Sequence, residues 1–532
     1  MGEVGVRGTA GAREWAGLGL LALPTVLLGV DVTALYLVLP SMAEALDPSA
    51  AQTLWIMDAY EFLVAGFLIT MGTLGDRVGR RRLLLVGMAA FAVVSVLAAF
   101  APNAELLILA RALLGVAGAT LMPSTLSLIS NMFRDARQRA VAIGVWATMF
   151  AVGMAAGPVV GGVLVDAFWW GAPLLLAVPV AVAVLGGARV LLPEFADPAA
   201  GRLDLVSVTL SLVAILPGIY AVKHAASSGV DASTVVLLGV GAVAGVVFVR
   251  RQRRLASPLL DVTLFADRAF SVALGVLLIG LVGVGGTMYL VTQYLQFVEG
   301  LSPLTAGLWM GPPALAMFAA AIGAPLLARR VRPGLIMAAA LGLSLAGYAL
   351  LATVGTGAAV SVVAGFAFVY LGLGAIAALG TDMVVGAAPP AKSGSAAALS
   401  ETVQEMGIAV GVALLGSLST AFYTSRTTAP ADASPEVAGR LTDSLAGALS
   451  VAGELPGEVV RDARETFTTG INIASAVAGA AIAVGSVLCL VSLRHVRPLG
   501  AVDYPEATGG SVSEGEERPH GRTAGQGHQT PR

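Results

Sequence analysis

Of the 532 residues only one is a cysteine, Cys489, and only two are lysines, Lys223 and Lys392. A lone thiol excludes an internal disulfide and a cysteine-ligated metal cluster. Charged residues make up 12% of the chain and the formal net charge is −2. So sparse and balanced a charge leaves no basic face to displace the counterions of a nucleic acid. No Gly-x-x-x-x-Gly-Lys-Ser/Thr run occurs, which argues against ATP as the drive. The apolar runs hold neither a nucleophile and base pair nor a set of metal ligands, so no enzyme, metal or cofactor is expected. Residues 1–16 lack a small-residue cleavage pattern and the first apolar run is long enough to cross a bilayer, so no cleavable signal is expected.

What the chain has is grease. Hydrophobic residues are 57% of it, more than a soluble core of this size could bury, which makes it an integral membrane protein. Runs of about 20 apolar residues cross as helices. Fourteen are expected: 17–40, 54–75, 83–101, 105–130, 140–165, 172–193, 204–223, 233–249, 270–294, 304–328, 333–354, 358–386, 397–423 and 469–493. Arginines fall in alternate loops, at 77 and 80–82, 134–139, 250–254 and 329–332. The positive-inside rule then places both termini in the cytoplasm.

The spans fall into blocks. A short amino-terminal segment, 1–16, precedes six spans in 17–193. Two spans in 204–249 are inserted before six more in 270–493. Residues 424–468 form an outer loop in which Pro435 to Leu449 has helical spacing, so one or two short helices are expected there. Residues 498–532, rich in Gly, Ser, Glu and His, read as a disordered cytoplasmic tail. Ala324 to Arg332 can be laid on Gly72 to Arg80 with a leucine and two arginines kept, as a duplicated six-helix unit would give.

Ionisable groups inside a bilayer are costly and need a reason. Asp31 lies in the middle of span one. Asp58 and Glu61 are three apart in span two and share a face. Arg111 lies in span four and Asp382 near the cytoplasmic end of span twelve. Glu401 and Glu405, four apart in span thirteen, form one stripe. Gly153, Gly157 and Gly161 share a helix face that admits a close neighbour, next to Pro158 and Gly162.

Several of these residues carry a resemblance. Gly72, Leu74, Asp76, Arg77, Gly79, Arg80 and Arg81 resemble the loop signature between the second and third helices of the major facilitator superfamily. Leu107, Arg111, Gly115, Gly118 and Ala119 are similar to its fourth-helix arginine motif, and Gly153, Gly157, Pro158, Gly161 and Gly162 to the fifth-helix motif of its antiporters. Leu28 to Pro40, with Asp31 and Thr33, resembles the first helix of the fourteen-helix drug:proton antiporters. Trp55 to Tyr60, Pro258 to Asp261 and Ser400 to Gly407 narrow the similarity to the QacA-type branch.

The resemblance implies an all-α major facilitator fold: two six-helix halves plus two inserted central helices. It implies a bacterial inner-membrane multidrug efflux pump, monomeric and without a cofactor, exchanging protons for lipophilic, mainly cationic compounds by alternating access. An exporter dedicated to one antibiotic or metabolite is the alternative. Asp31, Asp58, Glu61, Arg111, Asp382, Glu401 and Glu405 are then the proton and cation residues. For Asp31 a structural pairing with Arg111 stays open. For Asp58, close to the outer surface, the structural reading stays open too. Glu61 is either a second cation anchor facing Asp58 or solvated in the outer vestibule, and Asp382 is either an inner gate or proton site or an interfacial residue facing water.

Gly72, Asp76, Arg77, Gly79, Arg80 and Arg81 would latch the cytoplasmic side against the other half. The span-five glycines would seal the two halves together, or simply pack. Trp55, Tyr60, Trp146, Met149, Phe150, Tyr289, Gln293, Trp309 and Phe318 are candidate pocket residues, with aromatic faces suited to cations. Met317 and Ser400 stand where the QacA pattern has acids, so divalent dications are expected to be poorer substrates.

Overall fold

In hydrocarbon every backbone polar group needs an internal partner, so an apolar run can cross only as a helix or as part of a closed barrel. In the computed structural model of this chain, all regular structure among the described residues is helical. The structure describes residues 10–195, 204–228, 231–255, 258, 260, 262–387 and 393–494. The tail 498–532, Asp261 and the side chains of Asp76, Arg137 and Lys223 lie outside that description.

The helices are α1 (Ala12–Leu46), α2 (Ala50–Val78), α3 (Arg80–Ala99), α4 (Ala104–Met132), α5 (Ala136–Ala167), α6 (Ala177–Leu191), α7 (Leu205–Ser228), α8 (Ala232–Gln252), α9 (Arg268–Gln293), α10 (Pro303–Trp309), α11 (Gly311–Ala328), α12 (Pro333–Leu351), α13 (Ala359–Ala387), α14 (Ser393–Gly411), α15 (Ser417–Arg426), α16 (Pro435–Asp443), α17 (Leu445–Ser450) and α18 (Gly457–Ser492). Among the described residues twelve helical stretches are long and apolar enough to cross a membrane. The other two expected spans fall on α2 and α7, of 29 and 24 residues.

Two local features define the outer loop more closely than its sequence did. The run from Pro435 to Leu449 is two helices, because Ser444 is extended (φ −160°, ψ 162°) and its side chain caps α17 at the Gly447 N–H. The last span also begins earlier, at Gly457, so the final residues of the expected loop continue it as helix.

The helix pairings repeat. α1 packs on α5 as α9 packs on α14, and α2 on α4 as α11 on α13. α3 meets α4 and α6 as α12 meets α13 and α18. Between the two sets, α2 meets α14 and α5 meets α10. α7 and α8 pair with each other, and α7 also rests on α2 and α15.

Lipid offers no hydrophobic drive for helices to associate, so close van der Waals approach must supply it, and small residues permit that approach. A Cβ on Gly153 would meet the Val26 carbonyl and the Gly29 Cα, and one on Gly411 would meet the Val282 carbonyl and the Gly286 nitrogen. The α1–α5 and α9–α14 seams are thus built alike, backbone against backbone.

The α7–α8 pair is fastened at one end by charge. Arg251 donates from Nε and Nη2 to the two Asp204 carboxylate oxygens, both at 2.9 Å. Ser207 donates to Asp204 at 2.6 Å and Gln252 to Ser207 at 2.8 Å. The Arg251 hydrogen bond holds the Asp204 carboxyl well below the usual carboxylate range. A depressed folded-state pKa stabilises the fold above the ordinary value of about 4 and less as pH falls through the folded value. Asp204→Asn should therefore lower the melting temperature of the detergent-solubilised protein at pH 7, and the gap to the native chain should narrow below about pH 4.

Candidate functional site

The site is built on a cation that cannot reach water. Arg111 lies in the first third of α4 with its side chain 1% exposed. A buried guanidinium needs a counter-charge and acceptors. Its Nη1 donates to Asp31 Oδ2 at 2.8 Å and its Nε to the Ile56 carbonyl at 3.3 Å. Its guanidinium carbon stands 4.5 Å from the centre of the Tyr60 ring, and Tyr60 meets Phe91 edge-on. One arginine therefore ties α4 to α1 and α2.

Around this pair the structure gathers acids. Asp58 and Glu61 on α2 and Glu405 on α14 are all buried. Asp58, Glu405, Arg111 and Asp31 lie within electrostatic reach of Glu61. Oε2 of Glu61 and Oε2 of Glu405 have no hydrogen-bond partner among the described residues. Since α2 and α14 meet across the two helix sets, these acids come from both sides of that junction. Asp31 also borders a cavity of about 10 Å³ with Phe91 and Pro173, room for about one water.

Glu401 is half-buried, one turn before Glu405, and Asp382 on α13 is exposed. Asp382 thus stands apart from the buried group. Ser400, also buried, lies 3.3 Å from the Thr381 hydroxyl, and Met317 is buried on α11 with its carbonyl against Gly374.

Sequence reasoning missed Tyr36 and Tyr370. Tyr36 on α1 is buried within reach of Glu61, Asp58 and Tyr370, and its hydroxyl has no partner among the described residues. Tyr370 on α13 donates to the Met288 sulfur at 3.4 Å. A signal for Tyr36 existed: it lies five residues after Asp31 in an otherwise apolar stretch.

The expected pocket residues scatter. Trp55 is half-buried against Tyr220 of α7, 6.0 Å between rings, and with His224 lines a cleft at the α2–α15 border. Tyr289 and Gln293 line a second cleft, beside Tyr423 and Phe467. Trp146 is buried and donates to Thr125 at 3.0 Å. Met149, Phe150, Trp309 and Phe318 are half-buried. Of the nine, Tyr60 stands against Arg111 itself, and Tyr289 lies within electrostatic reach of Asp58.

The glycine motif divides between its two readings. Gly153, Gly157 and Gly161 pack on Val26, Thr33 and Ala34 of α1, within one helix set. Thr33 adds a hydrogen bond to the Met154 carbonyl at 3.0 Å. The seam between the sets is carried by Gly162 against Pro303 and Leu304, and by Gly307 against Pro158. The fifth helix faces α1 with one side and α10 with the other, which helical spacing alone does not reveal.

The Gly72–Arg81 loop is stitched to the end of α6. Gly79 has φ +106°, a conformation side chains rarely adopt, and a Cβ there would strike Glu194. Glu194 accepts from the Arg81 N–H at 3.1 Å and faces the Arg81 and Arg82 guanidinium groups at 3.5 and 3.8 Å. The Arg80 N–H donates to the Phe195 carbonyl, and the Arg81 side chain to the Leu192 carbonyl. Arg80 reaches the Pro123 carbonyl at 3.4 Å, Gly72 borders Pro123, and Arg77 is exposed. These contacts stay within the first helix set; no latch to the second set is among them. The Asp76 side chain, central to that expectation, lies outside the description.

At the other end the two sets are joined. Arg440 of α16 pairs with Asp47, after α1, at 2.9 Å. Asp443 accepts from the Ala50 N–H at 3.0 Å. Behind them lies a cleft of about 540 Å³ lined by Glu44, Gln52, Gln296 and Phe297 among others.

Comparison with known proteins gives a consistent result. The family model described as Major Facilitator Superfamily matches residues 21–412. The chain is 43% identical to the multidrug efflux pump LfrA of Mycolicibacterium smegmatis, over 91% of this chain and 97% of that protein. It is 31% identical to the methyl viologen resistance protein SmvA of Salmonella typhimurium, over 88% and 96%. A solved bacterial homologue of the lysosomal transporter Spinster shares the fold, with TM-score 0.62 at 15% identity, over 91% of this chain and 97% of that one.

The ion pair generates a test. Truncating one partner of a buried pair leaves the other charge uncompensated, a loss of about 3–5 kcal/mol. Arg111→Leu should sharply lower the melting temperature, and Asp31→Asn added to it should restore much of the loss. If the two substitutions simply add in thermal unfolding, Asp31 and Arg111 are not coupled.

Proposed function

The chain belongs to the major facilitator superfamily, and from that premise we propose that it is a proton-driven multidrug exporter of lipophilic, mainly cationic compounds. It works from the bacterial inner membrane as a monomer, with both termini cytoplasmic, fourteen spans and no cofactor. Helices α1–α6 form one half and α9–α18 the other, with α7 and α8 inserted between them.

The observation that carries this reading is the gathering of buried acids around a single arginine. Asp31, Asp58, Glu61 and Glu405 are buried where Arg111 is, among the described residues, the cation in the group. Four negative charges against one positive in a low-dielectric core are unstable, and protons or a cationic ligand would relieve the excess. Protonation then weakens cation binding, and an arriving cation favours proton loss. That exchange is all that antiport requires.

Two features support alternating access. Acids come from both halves, so a ligand held by Glu61 and Glu405 is released when α2 and α14 part. The halves meet at the α16–α17 end through Arg440–Asp47, Asp443–Ala50 and the Gly162 and Gly307 contacts. We read that end as the outer face, closed here, with the Gly72–Arg81 loop on the cytoplasmic side. The names of the two relatives, a multidrug efflux pump and a methyl viologen resistance protein, support a cationic aromatic cargo.

The test is ethidium efflux from everted vesicles with an imposed proton gradient. The native chain should pump only with the gradient, Asp31→Asn should abolish pumping, and Glu61→Gln or Glu405→Gln should slow it about tenfold or more. Gradient-independent pumping, or no movement of any lipophilic cation by folded protein, would contradict the proposal.

A further inference from the structure

A cleft of about 890 Å³ opens at the end of the molecule that carries the Gly72–Arg81 loop, well away from the buried acids. The start of α1, the α4–α5 junction and the segment after α6 form its walls. Five charged side chains line it: Arg13, Glu14, Arg134, Arg139 and Glu194.

The charges do not cancel: three arginines face two acids, and one of those acids, Glu194, is already paired with other arginines. Glu14 accepts from the Gly11 N–H at 2.7 Å, closing the first turn of α1. Glu194 is held by Arg81 and Arg82. Asp135, between α4 and α5, accepts from the Gln138 N–H at 2.9 Å. Arg13, Arg134 and Arg139 are exposed, and no ion pair or side-chain hydrogen bond occupies them among the described residues. Three guanidinium forks therefore line one cleft, a geometry suited to phosphate oxygens.

The cleft also has a greasy lip. Met132, Leu191 and Phe195 line it beside the arginines, and Phe195 is 41% exposed. Trp15, 38% exposed, stands next to Arg13's turn of helix and meets Phe133 edge-on at 5.1 Å. A tryptophan at the start of a spanning helix sits at headgroup depth. A free anion would use the arginines and leave the lip idle; a phospholipid uses both.

We propose that this cleft binds the headgroup of an anionic phospholipid of the cytoplasmic leaflet, its phosphate among Arg13, Arg134 and Arg139 and its acyl chains leaving past Trp15 and Phe195. The proposal rests on the membrane orientation given above and does not depend on what the protein exports. A lipid held here would bind the α4–α5 junction to the start of α1 and the end of α6, the segment that also anchors the signature loop through Glu194.

The experiment is native mass spectrometry of the delipidated, detergent-solubilised full chain, titrated with phosphatidylglycerol and separately with phosphatidylcholine. Phosphatidylglycerol should bind about tenfold tighter or better, since each basic residue near a charged headgroup adds appreciably to affinity. Arg13→Gln/Arg134→Gln/Arg139→Gln should remove that preference. Arg250→Gln/Arg253→Gln/Arg254→Gln, with the same loss of charge at the same end, should keep it. Equal loss in both triple variants would reduce the effect to general attraction and overturn the site. So would displacement of the lipid by millimolar inorganic phosphate, which would mark a site for free anions.

Should the first triple variant fail to fold, brominated phosphatidylglycerol decides the matter in the native protein. It should quench fluorescence that Trp15→Phe removes, and brominated phosphatidylcholine should not. Equal quenching by both lipids would overturn the proposal. Ethidium efflux is read separately, so failure of the export reading leaves this result standing.

Discussion

The contact between Arg111 and Asp31 is the constraint from which the rest of the core follows. A guanidinium 1% exposed is tolerable only with a full set of partners, and three helices supply them: a carboxylate from α1, a carbonyl and an aromatic face from α2. That requirement fixes how α1, α2 and α4 stand against one another. It also sets the electrostatics of everything nearby. Once Asp31 has claimed the arginine, Asp58, Glu61 and Glu405 remain as buried acids around a neutralised pair. Such a core favours uptake of positive charge, whether as protons or as a cation. The coupling proposed above is a consequence of that imbalance.

Movement depends on how the helices touch. In lipid the seams are held by close approach rather than by the hydrophobic effect. Gly153 against Val26 within one half and Gly411 against Val282 within the other are backbone contacts with no side chain between them. These seams pack the helices of each half backbone to backbone. The contacts between halves include Gly162 and Gly307 at one place, α2 against α14 and α1 against α9 at others, and a polar clasp through Arg440 and Asp443. A rigid half that pivots on such contacts is what exposing Glu61 and Glu405 to one side at a time would require.

Much of this was legible in the sequence for a physical reason. Charge inside an apolar run is rare enough that each instance stands out, so Asp31, Asp58, Glu61 and Arg111 were readable as candidates in the first half, and Asp382, Glu401 and Glu405 in the second; that Glu405 joins the first set was not readable. The 72–81 loop was marked by its resemblance to a known signature, and the structure supplies a reason for one of its glycines, the positive φ of Gly79. What the sequence hid were facts about neighbours. Periodicity shows that Gly153, Gly157 and Gly161 share a face but not that α1 fills it. Trp55 looks like a cavity aromatic until α7 is placed beside it. Glu194 looks like a linker acid, although it holds Arg81. Ser444 breaks an amphipathic run because its hydroxyl caps better than it continues the helix. In each case the deciding partner lies far away in sequence or competes locally with the backbone.

The central claim is that protons and a cationic cargo compete for the same buried acids. It is met most directly by measuring proton release when a lipophilic cation such as tetraphenylphosphonium is added to the purified chain in weakly buffered detergent solution near neutral pH. The account predicts that binding releases protons, and that binding tightens as pH rises. Cation binding with no proton release and no dependence on pH would contradict it.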